Sequence, residues 1–212
     1  LTEQSLMTID PSIVADQLVL YDSYLLSHIP IIEYCKGDES LYVKDYIASL
    51  NSLEDLFVHM ITTTEAFSYF IKVAKRCIKL NGFNISYLIF SAIVKQTIPY
   101  KEEFEQLKKE RMTYYNKMYH LFSIQMNFSC YRSALKKITH LTMYIPIFAI
   151  YLKDFVNVHM METFVDGSRI NYRKLHLLTE VIENLAILQV VEYNIQPNDV
   201  ILNFFKTRDR KS

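Results

Sequence analysis

The sequence predicts a single all-α domain, and three observations support this fold class. Apolar residues recur at helical spacing through most of the 212 residues. No segment alternates between polar and apolar residues for long enough to predict a strand, and no dipeptide is convincing as the turn of a β-hairpin. No repeat or low-complexity linker divides the chain, so the helices are expected to share one hydrophobic core.

The first half of the chain is predicted to hold three helices and a buried apolar segment. Asp10 and Pro11 form an N-cap and N1 pair that opens the first helix. The second helix covers about residues 41–61. The third, TEAFSYFIKVAKRCIKL, is amphipathic and ends at Asn81-Gly82, a typical C-terminal stop. The next stretch, ISYLIFSAIV, is apolar on nearly all sides and is therefore expected to be buried.

The second half is predicted to be helical as well, apart from one turn. A long helix with a charged, solvated face covers residues 101–122. The elements after it are a short helix over SCYRSALKKI, a helix over IYLKDFVNVHMM, a turn at Asp166-Gly167, a helix over residues 171–191 and a short helix from Pro197 to about Phe205.

The composition argues against several kinds of partner and site. The chain has 23 basic and 23 acidic residues, whereas a nucleic-acid-binding protein normally has a basic excess. Its three glycines lie tens of residues apart, so the sequence contains neither a P-loop nor a dinucleotide fingerprint. The three cysteines are also far apart, which indicates a reducing, intracellular setting without a zinc cluster. No metal or other cofactor is expected.

Neither a membrane span nor a site for covalent catalysis is predicted. The longest apolar runs, ISYLIFSAIV and LTMYIPIFAIYL, are shorter than the ~20 residues that a membrane span needs, so a cytoplasmic protein is expected. The motifs H-E-x-x-H and G-x-S-x-G are both missing from the sequence. Binding is therefore favoured over covalent chemistry, and an all-α enzyme with an unrecognised site remains an alternative.

The helix over IYLKDFVNVHMM has an unusual distribution of polar residues. Eight of its twelve residues are apolar, and Lys153, Asp154 and Asn157 form one narrow polar strip at 100° per residue. Such a strip suits an outward face that meets a polar partner. On the pattern alone, a core helix whose strip reaches solvent at the rim is the favoured interpretation.

Three segments resemble one known family. They are FIKVAKRCIKLNGFNISYLIFSAI, NFSCYRSALKK and IPIFAIYLKDFVNVH, at residues 70–93, 127–137 and 145–159. In order and spacing they resemble the catalytic domain of the Ras-type guanine-nucleotide exchange factors, the RasGEF family. The stretch LKDFVNVH is similar to the Ras guanyl-releasing branch in particular. Each motif alone is weak, and their common order gives the resemblance its weight.

The resemblance also implies how the chain is organised. It extends over residues 10–206, so residues 1–9 are interpreted as an N-terminal extension and residues 207–212 as a basic tail. It implies a single multi-helix domain from which a hairpin, made of the helices at 147–161 and 171–191, protrudes.

In this family the hairpin wedges between the switch regions of a small GTPase, and the nucleotide leaves. The implied partner is a Ras-superfamily GTPase of the Ras or Rap type, which could recruit the protein to the inner face of membranes. The resemblance implies that the wedge residues are Lys153, Asp154, Val156, Asn157 and Met160. The further contacts that it implies are Phe90, Ser91, Ile93, Asn127, Phe128 and Ile147.

Two departures from the family pattern leave an alternative open. Many members end the wedge helix with Glu-Glu-Gly, where this chain has His159, Met160 and Met161. Residues 94–105 also lack the family's Arg-Leu pair and contain Pro99. A catalytically degenerate domain that binds a GTPase or a scaffold protein without ejecting nucleotide is therefore the alternative interpretation.

Overall fold

A computed structural model of the protein describes residues 1–36, 39–138, 142–190 and 193–209. In these ranges the chain forms helices and one very small sheet, which confirms the all-α prediction. The helices are α1 Glu3–Leu6, α2 Pro11–Ser27, α3 Ile31–Tyr34, α4 Leu41–Met60, α5 Thr64–Lys79, α6 Phe83–Gln96, α7 Lys101–Glu105, α8 Lys109–Leu121, α9 Gln125–Leu135, α10 Phe148–His159, α11 Tyr172–Val190 and α12 Asp199–Asp209. The strands are β1 Phe164–Val165 and β2 Arg169–Ile170.

The predicted helix starts and stops are confirmed where the sequence carries clear signals. The Asp10 side chain caps α2 by accepting from the amide of Ser12, and Pro11 occupies the first turn. The end of α5 uses Asn81, which adopts a left-handed conformation with φ 58°.

The core is built around α5, which packs against α2 and α6, while α4 covers the other side of α6. Phe57, Phe67 and Phe70 are fully buried there. Gly82 is needed for this packing, because a Cβ atom at that position would lie 2.6 Å from a methyl carbon of Val19. The absence of a side chain thus allows α2 to approach the junction of α5 and α6.

Three elements differ from their predictions. The long charged helix is interrupted at residues 106–108, between α7 and α8, and Leu107 in this gap is buried. The turn at Asp166-Gly167 is confirmed, but it joins two short paired strands that the sequence did not predict. Helix α12 begins after Pro197 and continues beyond Phe205 to Asp209.

The N-terminal residues pack against the domain. Leu6 of α1 is fully buried, and the hydroxyl of Tyr69 donates to the carbonyls of Leu6 and Ile9 at 2.9 and 3.0 Å. The division into an extension, a domain and a tail at residues 9 and 206 stays a prediction. Within the described ranges, no helix is long and apolar enough to cross a membrane.

Candidate functional site

The first turn of α10 is anchored by two other helices. The amide of Ile147 donates to the hydroxyl of Tyr131 on α9 at 2.8 Å, and the amide of Phe148 donates to the side-chain oxygen of Asn84 on α6 at 3.1 Å. The amides at a helix start have no partner within the helix. Side chains from α6 and α9 therefore satisfy these donors and fix where α10 begins.

An arginine connects α9 to the middle of α10. The guanidinium of Arg132 donates to both carboxylate oxygens of Asp154 at 2.6 and 2.9 Å, and its Nε donates to the carbonyl of Asn127 at 2.8 Å. We call this arrangement of Arg132, Asp154 and Asn127 the arginine clamp. The hydrogen bonds to Asp154 raise the pKa of Arg132, so the clamp keeps its charge.

The residues at the start of α9 adopt a strained backbone. Met126, Asn127 and Phe128 have φ values of 49°, 53° and 58°, in the left-handed region. For residues other than glycine, this conformation costs roughly 1–2 kcal/mol each. The arginine clamp holds the carbonyl of Asn127, and the ring of Phe128 packs edge-on against Tyr87. This strained turn leaves Met126 and Asn127 exposed beside α10.

A groove of about 520 Å³ lies between the helices α4, α6 and α10. We call it the α10 groove. Its apolar lining includes Ile47, Leu50, Leu88, Leu152 and Val156. Its polar lining includes Asn51, Glu54, Ser91, Lys153 and Asn157. An apolar surface surrounded by a few polar groups is typical of a site that receives a partner's side chain.

Most of the predicted wedge residues lie on the outer side of α10. Lys153, Val156, Asn157 and Met160 are exposed, and the first three of them line the α10 groove. Asp154 is half-buried and both of its carboxylate oxygens accept from Arg132, so its role as a wedge residue stays a prediction.

The other predicted contacts divide into surface and core positions. Asn127 is exposed, whereas Ser91 and Phe128 are half-buried. Ile93 and Ile147 have exposed fractions of 0% and 1%, although Ile147 lines the α10 groove, and direct contact by either side chain stays a prediction. Both lie in the core. Phe90, at 8%, packs mainly against the rings of Tyr115, Tyr119 and Phe122.

Sequence reasoning missed the contribution of α4 to this site. Ile47, Leu50, Asn51 and Glu54 form one wall of the α10 groove. Their spacing puts them on one side of a helix, which could have identified them as a group. Asn84 of α6 also supports this site, because its side-chain oxygen accepts from the amide of Phe148 at the start of α10.

The hairpin that follows α10 has a braced stem and an exposed tip. The hydroxyl of Tyr151 donates to the carbonyl of Val181, which ties α10 to α11. Lys174 is only 8% exposed, and its ammonium donates to the carbonyl of Met161 at 2.7 Å and to the hydroxyl of Thr163 at 3.1 Å. Residues 162–170 are all exposed. The tip is therefore held by bonds within the hairpin.

The described residues offer no arrangement suited to a metal ion. Among them, no three His, Cys, Asp or Glu side chains come together in a way that could hold one. The polar groups around the α10 groove are amide, hydroxyl and charged side chains at a surface cleft. What this arrangement can do chemically is bind a protein segment.

Comparison with known proteins gives a consistent result. The model of the RasGEF domain family matches residues 13–176. The chain is 25% identical to Cell division control protein 25 of Saccharomyces cerevisiae over 95% of its own length and 14% of the relative's. It is 28% identical to Ras guanyl-releasing protein 3 of Homo sapiens, over 66% of its own length and 20% of the relative's. It is 24% identical to a Rap guanine nucleotide exchange factor of Caenorhabditis elegans, over 91% of its own length and 14% of the relative's. The chain thus spans less than a quarter of these relatives.

Proposed function

Because the chain belongs to the RasGEF domain family, we propose that it is a guanine-nucleotide exchange factor for a Ras-superfamily small GTPase of the Ras or Rap type. The observation that carries this proposal is the family match over residues 13–176, which includes α10 and the α10 groove. The names of the relatives, which include Ras and Rap exchange factors, favour the choice of partner.

The proposed mechanism is displacement without covalent chemistry. The hairpin formed by α10 and α11 enters between the two switch regions of the GTPase and moves one of them away from the nucleotide. A protein that binds the empty GTPase more tightly than the loaded form must weaken nucleotide binding by the same factor. Switch segments that depend on phosphate and magnesium contacts are suitable targets for such displacement.

The α10 groove gives this mechanism a place to hold the displaced switch. Its leucine, isoleucine and valine side chains would bury an apolar side chain of the GTPase, and burial of such a group contributes roughly 1.5–3 kcal/mol. Asn157, Lys153 and Ser91 would bond to the polar backbone around that side chain. Met160, which is 79% exposed at the end of α10, would occlude the nucleotide site by its bulk.

A panel of GTPases tests this function. Each Ras or Rap protein is loaded with a fluorescent guanine nucleotide, and release is followed with catalytic amounts of this protein. We expect release from at least one GTPase to rise by about tenfold or more. Unchanged release across the whole panel would contradict the proposal.

The alternative function is a binding module that does not eject nucleotide. His159 and Met160 occupy the positions where many members of the family have acids, so charge repulsion of the nucleotide by those acids is not available to this chain. The interruption between α7 and α8, at residues 106–108, directly follows the departure from the family pattern at residues 94–105. Stoichiometric binding that is equally strong for loaded and empty GTPase would favour this alternative.

The proposed partner also determines where the protein would act. Ras-type GTPases are attached to the inner face of membranes. We therefore propose that the protein acts in the cytoplasm and is recruited to that membrane face by its GTPase. Fluorescence imaging with and without the identified GTPase would test this, and an unchanged distribution would contradict it.

A further inference from the structure

Three polar side chains from different helices meet inside the core behind α10. Asp22 of α2, Tyr46 of α4 and Asn84 of α6 have exposed fractions of 0%, 2% and 2%. The hydroxyl of Tyr46 donates to Asp22 at 2.6 Å. The side-chain nitrogen of Asn84 donates to both oxygens of Asp22 at 3.2 Å and to the hydroxyl of Tyr46 at 2.9 Å. We call Asp22, Tyr46 and Asn84 the buried trio.

The orientation of the Asn84 amide follows from these bonds. Its nitrogen has two hydrogens, and both are used within the buried trio. Its oxygen is left facing α10, where it accepts from the amide of Phe148. This pattern requires Asp22 to act only as an acceptor, and a carboxylate does so only when it is ionised.

A proton on Asp22 conflicts with this pattern. One oxygen would become a donor. Both oxygens face the nitrogen of Asn84, which can only donate, whereas the hydroxyl of Tyr46 at Oδ1 could turn from donor to acceptor. The conflict is relieved if the Asn84 amide turns so that its oxygen accepts from Asp22. The amide of Phe148 would then lose its acceptor, which leaves a buried donor unpaired at the start of α10.

The surroundings allow Asp22 to titrate near neutral pH. Burial raises the pKa of Asp22 to about 7, although the hydrogen bonds from Tyr46 and Asn84 act in the opposite direction. The other titratable groups facing it are Tyr34 of α3, Tyr46, Cys77 of α5 and Tyr193. Burial raises the pKa of each of these groups, so all of them stay neutral near pH 7. No basic side chain in the described part of the chain contributes to the pKa of Asp22.

We propose that Asp22 and Asn84 are positioning residues for nucleotide exchange, which makes the activity depend on whether Asp22 is ionised. This inference rests on the proposed function. Phe148 begins α10 and lines the α10 groove, as do Leu152, Val156 and Asn157 further along the helix. A change in the anchor of the first turn therefore alters the surface that the GTPase meets. Ionised Asp22 holds α10 in its active orientation, and protonated Asp22 releases it.

The first test is the pH profile of exchange. The stimulated rate is divided by the intrinsic rate of the same GTPase at each pH, so that the GTPase's own pH dependence cancels. We expect this ratio to fall by about tenfold from pH 8 to pH 6, as one group with a pKa near 7 would give. Asp22→Asn, which cannot ionise, should be weakly active at both values and should lose the pH dependence.

Two further variants give this test its controls. Asp16→Asn changes another aspartate of α2, one that pairs with Arg76 outside the buried trio, and it should follow the wild-type profile. Tyr46→Phe keeps the ring but removes a donor to Asp22, so the midpoint of the profile should move to higher pH. Tyr46→Phe also serves as the test if Asp22→Asn does not fold. A flat wild-type profile, or an unchanged profile for Tyr46→Phe, would overturn the proposal.

Hydrogen exchange at the amide of Phe148 gives a readout that does not depend on the GTPase. After correction for the chemical pH dependence, protection should be several-fold lower at pH 6 than at pH 8, and low at both in Asp22→Asn. Equal protection in every case would overturn the positioning role. If protection of the Phe148 amide changes with pH but no GTPase responds to the protein, the proposed function and the link to exchange are wrong. In that case the anchoring of α10 by Asp22 and Asn84 still holds.

Discussion

Asn157 is the residue at which the proposed function can be tested with the least risk to the fold. It is exposed on the outer side of α10 and lines the α10 groove. We expect Asn157→Arg to lower stimulated nucleotide release by at least about tenfold, because the longer charged side chain would fill the groove that a partner must enter. Its thermal unfolding midpoint should stay within about 2 °C of wild type.

Asn116 provides a matched control for this substitution. It is an exposed asparagine on α8, outside the α10 groove, so Asn116→Arg adds the same charge elsewhere. Asn116→Arg should exchange as wild type does. Equal activity of Asn157→Arg and Asn116→Arg would mean that the α10 groove does not receive the partner.

Asp22 should make the stability of the fold depend on pH. Its pKa is raised by burial from 3.8 to about 7, so the folded protein holds this proton more tightly than the unfolded chain does. The stabilisation is therefore complete below about pH 4 and is lost as the pH rises through 7. The free energy of unfolding should fall by up to about 4 kcal/mol over this interval.

Chemical denaturation between pH 5 and pH 8 checks this, because most of the decrease lies in that window. Asp22→Asn should show little dependence, and Asp16→Asn should keep it. Wild-type stability that is constant or rises across the window would contradict the raised pKa. The expected trend is opposite to that of exchange activity, since the ionised form is less stable but better ordered for binding.

At the scale of elements, the arginine clamp should matter more for function than for stability. Arg132 and Asp154 are each about one-third exposed, so their ion pair stabilises the fold by only about 1 kcal/mol. Arg132 nevertheless holds both the strained turn at Asn127 and the middle of α10. We expect Arg132→Met to lower exchange several-fold while stability falls by about 1 kcal/mol.

Arg76 offers a comparison for the clamp. It also donates twice to one aspartate, Asp16, but it links α5 to α2 away from the α10 groove. Arg76→Met should cost about as much stability as Arg132→Met and leave exchange unchanged. Stopped-flow nucleotide release and denaturant titration on both variants measure the difference, and parallel losses of activity would argue against a special role for the clamp.

Elements with local signals could be predicted from the sequence. The start of α2 follows from Asp10-Pro11, and the end of α5 follows from Asn81, because caps and left-handed stops act over a few residues. The strip on α10 was predicted correctly for Lys153 and Asn157, since helical spacing determines which side chains share a face.

Elements that depend on distant contacts could not be predicted. The gap between α7 and α8, where Leu107 is buried, lies among residues that are good helix formers, so their propensities do not predict it. The left-handed turn at Met126–Phe128 contains no glycine from which it could have been predicted. The pairing of Asp154 with Arg132, 22 positions earlier, could not be predicted either, because helical spacing does not reveal a contact with another helix.

At the scale of the whole molecule, the fold combines a packed helical core with an exposed hairpin tip. The described helices α2, α4, α5 and α6 pack together, while the hairpin tip at residues 162–170 is exposed throughout. The first turn of α10 joins the two parts through Asn84 and Tyr131. In the proposed mechanism the hairpin can displace a switch region only if its base is fixed, and these two bonds would supply that base.

The most direct measurement is the affinity of this protein for the same GTPase in its empty and GDP-loaded forms. Isothermal titration calorimetry or surface plasmon resonance with each form of the GTPase gives the two dissociation constants. If the hairpin exchanges places with the nucleotide, the empty form should bind roughly 100-fold more tightly, since weakened nucleotide binding requires an equal preference for the empty state. Equal affinity for the two forms would contradict the account and would leave a binding module that cannot drive exchange.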